Sequence, residues 1–291
     1  MKKLTKMNIF SLKALKNKTI VYLSLTPMAG LILILILIQS LPARAYIPEI
    51  PFILKKASGT TGRKIIKIEQ EVTFKVGEEE AKVDETWLIE GDKNLKMSAV
   101  GKNLFKENLK INYLYNGKNK TYFSGKNKNV SPVGFDFFQR YLFIRSKDSF
   151  MGYLKELNIP AQDKSNLKLS RADGVISFLI GQPSGQNLNP QVWIGQDDFV
   201  IRKIRTPSAA EISLSQITSF PNDIFMAKSQ TISWQNSNPI TVQIKIKKID
   251  MNAGGSISAF YPQNLDGPSE INFSNKTPLT AVVEEFYSRF R

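Results

Sequence analysis

The sequence predicts a mainly β fold with a helical insertion (α+β), built on one antiparallel sheet of about eleven strands, too large to stay flat. Three observations carry this. From about Ile65 onward, apolar and polar residues alternate through most of the chain, the period of a half-buried strand. The alternating runs are joined by short Gly, Asn and Asp turns, which suit a meander and leave no room for crossover helices. One stretch, Phe135 to Leu157, departs from this period and takes up helical spacing.

The chain opens differently. Residues 1–18 hold six lysines and no acid, residues 19–38 are mostly apolar, and "GLILILILI" is the densest part. Leu41, Pro42, Ala43, Arg44 and Ala45 follow. This is the layout of a signal peptide over 1–45, with Ala43 and Ala45 as an A-x-A cleavage site. The alternative is an uncleaved anchor, because Ile20–Ile38 approaches the ~20 residues that span a bilayer. Ser24, Thr26, Pro27 and Gly30 weaken it as a permanent span. The basic flank stays in the cytoplasm, so both readings export everything after Tyr46.

Composition removes several chemistries. There is no Cys and no His, so Ser-His-Asp and Cys-His catalysis, His proton shuttling and the usual zinc and haem sites are absent. A disulfide framework and a lipid-modified Cys are excluded as well. The formal net charge is +15. Seven of the basic residues lie before Tyr46, and the lysines of the body are scattered beside Asn in "NGKNK" and "GKNKN", as solvated turns would be.

The strands follow in order after an N-terminal segment, 46–62. In "IIKIEQEVTFKV", Ile66, Ile68, Val72, Phe74 and Val76 share one face. Gly77 and Glu78–Glu80 turn the chain into "KVDETWLIE", and Gly91–Asn94 turns it into "LKMSAVG". "LKINYLYN" ends at Asn116-Gly117, a strong hairpin signal, and "KTYFS" returns. In the helical insertion, Phe135, Phe138, Leu142 and Phe143 suit one face. Ser149 or Asp148 would cap a second helix carrying Met151, Leu154 and Leu157, and Pro160 would end it. Strands resume at "NLKLSR", "VISFLIG", "QVWIG", "FVIRKIRT", "EISLSQI", "SQTISWQ" and "ITVQIKIKKID". The β-sheet domain is therefore expected over 63–265. In the tail, 266–291, Thr277 as N-cap and Pro278 at the first helical position predict a short helix bearing Val282, Val283, Phe286 and Phe290. Eleven or twelve strands in one sheet must curl, and the apolar face then encloses either a core or a cavity.

This order of elements resembles the LolA-like family, the periplasmic carriers of outer-membrane lipoproteins and their relatives. The resemblance runs from Ile53 to Leu265. It is carried by "ETWLIEGDKNLKMSAVG", the "LYNGKNKTYF" hairpin, the helical insertion, "VWIGQDDFVIRKIRTP", "QITSFPNDIFMAKSQTISWQNSNPITVQIKIKKIDMN" and "ISAFYPQNL". Trp87, Gly117 and Tyr122 stand at the family's strand aromatic, turn and following aromatic. Where such carriers use an early-strand Arg to hold the lid, this chain has Lys96. The resemblance implies an open half-barrel with a helical lid, a periplasmic location (tethered to the inner membrane if the leader is uncut) and no cofactor or metal. It also implies an apolar ligand on the concave face. The expected job is binding or carrying a lipid or lipoprotein acyl chain, as a monomer, with a transient membrane-protein donor or acceptor. The alternative is a non-catalytic envelope-assembly or sensor module that binds a protein partner.

Acyl binding has a physical basis, since each buried methylene contributes about 0.8 kcal/mol. Trp87, Met97, Tyr113, Tyr122, Phe138, Leu142, Met151, Trp193 and Trp234 are the candidate lining, with ordinary core packing as the alternative for each. Nothing argues for an enzyme: Glu78–Glu80 and Asp197-Asp198 read as solvated turns, and "GQPSGQ" lacks the Lys-Ser/Thr of a P-loop. Nucleic acid is not an expected partner, because the aromatics near the lysines alternate inward.

Overall fold

Alternation of the predicted kind builds one antiparallel sheet in the computed structural model of the chain, which describes residues 47–58, 65–91, 93–182, 188–220, 224–234 and 240–291. The segment expected to be a leader, including Ala43 and Ala45, lies outside the described residues. Strands β1 (Ile66–Val76), β2 (Glu79–Glu90), β3 (Asn94–Gly101), β4 (Leu109–Asn116), β5 (Asn119–Ser124) and β6 (Asn127–Pro132) form the first meander. Strands β7 (Leu167–Ala172), β8 (Val175–Ile180), β9 (Gln191–Gly195), β10 (Ile201–Arg205), β11 (Glu211–Phe220), β12 (Ile224–Trp234) and β13 (Ile240–Asp250) form the second. The two meanders join where β1 pairs with β13, and the order across the sheet is β6-β5-β4-β3-β2-β1-β13-β12-β11-β10-β9-β8-β7. A two-residue strand, β14 (Glu270–Ile271), adds to β4. The sheet is not closed: β6 and β7 are its two edges.

The sheet therefore has fourteen strands, two more than the sequence patterns supply. The additional ones are β6 and β14. The "NKNVSP" of β6 is an edge strand of Asn, Lys and Pro with no buried residue, so it lacks the apolar period that would announce it. Lys and Pro on an edge also blunt pairing with other chains.

The helical insertion connects β6 to β7, that is, one edge of the sheet to the other. It consists of a 3₁₀ helix, Phe138–Phe143, and an α-helix, α2 (Lys147–Glu156). The cap of α2 is Ser146, not Ser149 or Asp148. The Ser149 backbone N–H donates to Ser146 Oγ (3.1 Å) while the Ser146 N–H donates to Ser149 Oγ (2.9 Å), a reciprocal box that places Ser149 one turn inside. Asn158 takes a positive φ just past the end, ahead of Pro160.

Two further helices among the described residues lie before and after the strands. Helix α1 (Ile50–Ala57) occupies part of the N-terminal segment, 46–62, for which the sequence predicts no element. Eight residues show barely one repeat of helical spacing, too little to register in sequence, yet Ile50, Ile53 and Leu54 are all buried and the helix packs on α2. Helix α3 (Pro278–Arg289) forms where predicted. Thr277 caps it, accepting from the Thr280 N–H at 3.3 Å. Its Val282, Val283 and Phe286 pack inward, with Phe286 edge-on to Phe74 of β1 at 5.0 Å.

One face of the sheet is apolar and buried, and the other is polar. On the polar face, Glu71 Oε2 accepts from Lys247 Nζ and Lys102 Nζ, both at 2.9 Å, and both lysines also reach Asp84. These bonds, Lys247 first, hold the Glu71 carboxyl down at about 2 against an ordinary 4.5. A carboxylate whose folded value is depressed stabilises the fold above its unfolded value, and the contribution is lost as pH falls toward the folded value. Acid titration of unfolding should therefore show wild type losing more stability than Glu71→Gln between about pH 4.5 and 2. Equal losses would remove Glu71 from the acid response.

Candidate functional site

The inner face of the sheet is divided between a filled part and an open part. The filled part is aromatic. Trp87 stacks on Tyr115 (6.5 Å) and Phe137 (6.3 Å), and helix α3 lies alongside on β1 and β2. At its centre is a buried ion pair: Arg291 Nε lies 3.1 Å from Glu85 Oε1, both side chains at 0 % exposure. Glu85 Oε2 also accepts from Gln70 Nε2 (2.6 Å), Trp87 Nε1 (3.0 Å) and Arg291 Nη2 (3.2 Å). The guanidinium faces the rings of Phe286, Trp87 and Phe138 at 4.6, 5.0 and 5.7 Å. Oriented to satisfy both ends of its amide, Gln139 donates to the Phe290 carbonyl (3.2 Å) and accepts from Arg291 Nη1. Burial pushes the neighbouring Tyr115 and Tyr287 phenols well above their ordinary range, and Tyr113 up to about 12. Two charges in such a setting are tolerable because the carboxylate and the guanidinium are themselves hydrogen-bonded.

The open part is an apolar cavity of about 280 Å³ at the other end of the same face. Ile66 and Ile89 form its floor where β1 and β2 run away from their turn. Leu214 and Ile217 of β11 and Phe225, Met226 and Ala227 of β12 form one wall. Tyr141, Leu142 and Ile144, from the insertion that links the sheet edges, form the wall opposite. The mouth carries Lys56, Ala57 and Ser58 from the end of α1, and Asp198–Val200. Arg145 braces this wall, its guanidinium donating to the carbonyls of Leu142, Ile144 (3.1 Å) and Gly91 (3.2 Å). Asp198 is paired with Arg202. The lining is thus mainly apolar; its charged members are Lys56, Arg145 and Asp198, the last neutralised by Arg202.

The structure places seven of the nine sequence-derived lining residues in these two parts and the other two, Trp193 and Met151, elsewhere. Leu142 lines the cavity. Trp87, Met97, Tyr113 and Phe138 are buried in the aromatic part, with Trp87, Met97 and Tyr113 in cross-strand register. Tyr122 packs on Tyr113 at 5.7 Å. Trp234 packs on Phe290 at 4.9 Å. Trp193 lies on the opposite face of its strand from the inward Val192 and Ile194, under Lys203 and Arg205, each 5.2 Å from its ring. Met151 lines a separate surface recess with Asn158, Ile159 and Ala161.

Sequence reasoning did not single out Ile66, Ile89, Leu214, Ile217, Phe225, Met226 or Ala227. The first four look like any inward strand residue. The run Phe225-Met226-Ala227 did carry a signal, since three consecutive apolar residues break a period of two, and both Met226 and Ala227 are buried.

As to chemistry, Glu78 sits on the β1–β2 turn, and Glu79 and Glu80 are exposed at the start of β2. Asp197 is exposed on a turn, whereas Asp198, expected to be solvated beside it, is half-buried and paired with Arg202. Among the described residues no acidic cluster could hold a metal ion, and no helix is long and apolar enough to cross a membrane.

No protein-family model matches the chain, and no curated protein matches it. Solved structures of low identity do. A LolA superfamily protein from Nitrosomonas europaea is 9 % identical, with a TM-score of 0.49 over 75 % of this chain and 99 % of that one. A domain of the outer-membrane lipoprotein-sorting type from Vibrio parahaemolyticus is 10 % identical, with a TM-score of 0.49 over 73 % of this chain and 96 % of that one. A DUF1329 family protein from Desulfovibrio piger is 9 % identical, with a TM-score of 0.46 over 75 % and 96 %.

Proposed function

We propose that this protein is a non-catalytic, exported binder or carrier that holds one acyl chain of a lipid or lipoprotein in the cavity between the sheet and the Tyr141–Ile144 wall. The observation that supports this is the cavity: a mainly apolar lining whose one acid, Asp198, is paired with Arg202, and about 280 Å³ of space. That is close to the lower end of small-ligand sites, ~300–1,000 Å³. At a share of about 30 Å³ per water-sized group it admits roughly nine methylenes. Such a chain contributes roughly 7 kcal/mol on leaving water, enough for binding without any directed polar contact. The LolA-like order of elements supports the carrier role and the periplasmic location.

Equilibrium titration with a fluorescent medium-chain fatty acid tests the reading. One site per chain should saturate. Met151→Glu, which charges a recess away from the cavity, should leave the affinity unchanged, whereas Leu142→Glu, which puts a carboxylate in the cavity wall, should abolish uptake. Loss of uptake in Met151→Glu alone would move the ligand to the α2 recess.

A further inference from the structure

We infer that the rim of the cavity is a membrane-docking surface that seats on an anionic lipid bilayer, so that the mouth opens onto the lipid; this rests on the acyl-binding reading above. Two aromatic rings project beside the mouth. Phe52 of α1 is 47 % exposed and Phe225 of β12 is 41 % exposed. They belong to one patch, because Phe52 lies edge-on to Phe199 at 6.1 Å and Phe199 and Phe225 both line the cavity.

The ring that joins them is held in an unfavourable backbone. Phe199 has φ +55°, a region that bulky residues rarely enter and that costs about 1–3 kcal/mol. Its N–H is fixed to the Gly195 carbonyl (3.0 Å), and its ring is set between Phe52 and Phe178. The strain buys an aromatic at the mouth.

The charge around this patch matches an anionic surface. Lys55 and Lys56, adjacent in the last turn of α1, are both exposed, and Lys56 is itself a rim residue. The acid in the cavity wall, Asp198, is neutralised by Arg202. Glu49 stands at the other end of α1, about 10 Å away along the helix. A short helix with a ring on one side and lysines at its end is the arrangement that lies in a lipid interface, the ring among acyl chains and the cations among headgroups.

The chain has no cysteine, so single introduced thiols report unambiguously. Full-length Phe52→Cys and Phe225→Cys, carrying a polarity-sensitive fluorophore, are mixed with phosphatidylcholine vesicles with or without phosphatidylglycerol, containing a nitroxide-lipid quencher. Leu104→Cys, 77 % exposed between β3 and β4, serves as the reference. With phosphatidylglycerol, positions 52 and 225 should be quenched and 104 should not. Combining either thiol with Lys55→Glu and Lys56→Glu should return quenching to the level of position 104. Absence of quenching at 52 and 225, as expected if the patch serves a protein partner instead, overturns the inference. So does equal quenching at 104, or quenching indifferent to the charge reversal. Fatty-acid uptake measured on the same samples without vesicles separates the two ideas: uptake without docking overturns only the docking surface, and docking without uptake overturns only the acyl site.

Discussion

Arg291→Ala is expected to destabilise the protein by about 3–5 kcal/mol, the cost of leaving a buried carboxylate without its counter-charge. The Glu85 side chain is fully buried, and its remaining donors, Gln70 and Trp87, are neutral. The same substitution removes the partner of Gln139 and the cation over Phe138, so it loosens the 3₁₀ helix whose far end supplies Tyr141 and Leu142 to the cavity. Chemical denaturation measures the first effect. A double variant, Glu85→Gln with Arg291→Met, should recover most of the loss, because neither charge is then stranded. A change below about 1 kcal/mol for Arg291→Ala would mean that the pair is solvated and not buried.

Ile217→Trp is expected to weaken acyl binding about 100-fold or more while leaving the fold intact. Ile217 is only half-buried in its strand but faces the cavity, so an indole there extends into empty space and not into packed side chains. Occupying the room of about four methylenes removes roughly 3 kcal/mol of ligand burial. Unfolding should change little, since filling a void costs no displaced neighbour. Unaltered affinity would mean that the ligand does not enter between β11 and the insertion.

Much of this architecture was legible from residue pattern. The alternation in "ITVQIKIKKID" reappears as strict inward burial of Ile240, Val242, Ile244 and Ile246, and the Thr277-Pro278 pair marked the start of α3. What escaped has physical reasons. Strand β6 is solvated on both faces, so it has no apolar period, and α1 is too short to display one. The site is harder still. A cavity is a property of what fails to meet across the inner face, and Ile66 or Leu214 beside a void has the same sequence signature as Ile68 or Ile212 in the core. The large aromatics attracted attention as lining, yet large side chains are the ones that fill space. Trp87 and Tyr115 stack with Phe137 and close their end of the face, and the cavity survives where most of the strand residues are mid-sized aliphatics. Arg291 and Glu85 lie 206 positions apart, a distance no local pattern bridges.

The most direct test of the central claim is native mass spectrometry of the full-length protein extracted from membranes, read beside Ile217→Trp. The acyl-carrier account predicts one bound amphiphile per wild-type chain, restored by fatty acid after delipidation, and a bare chain for the variant. A bare wild-type chain that takes up no fatty acid, or an amphiphile retained equally by Ile217→Trp, would contradict it.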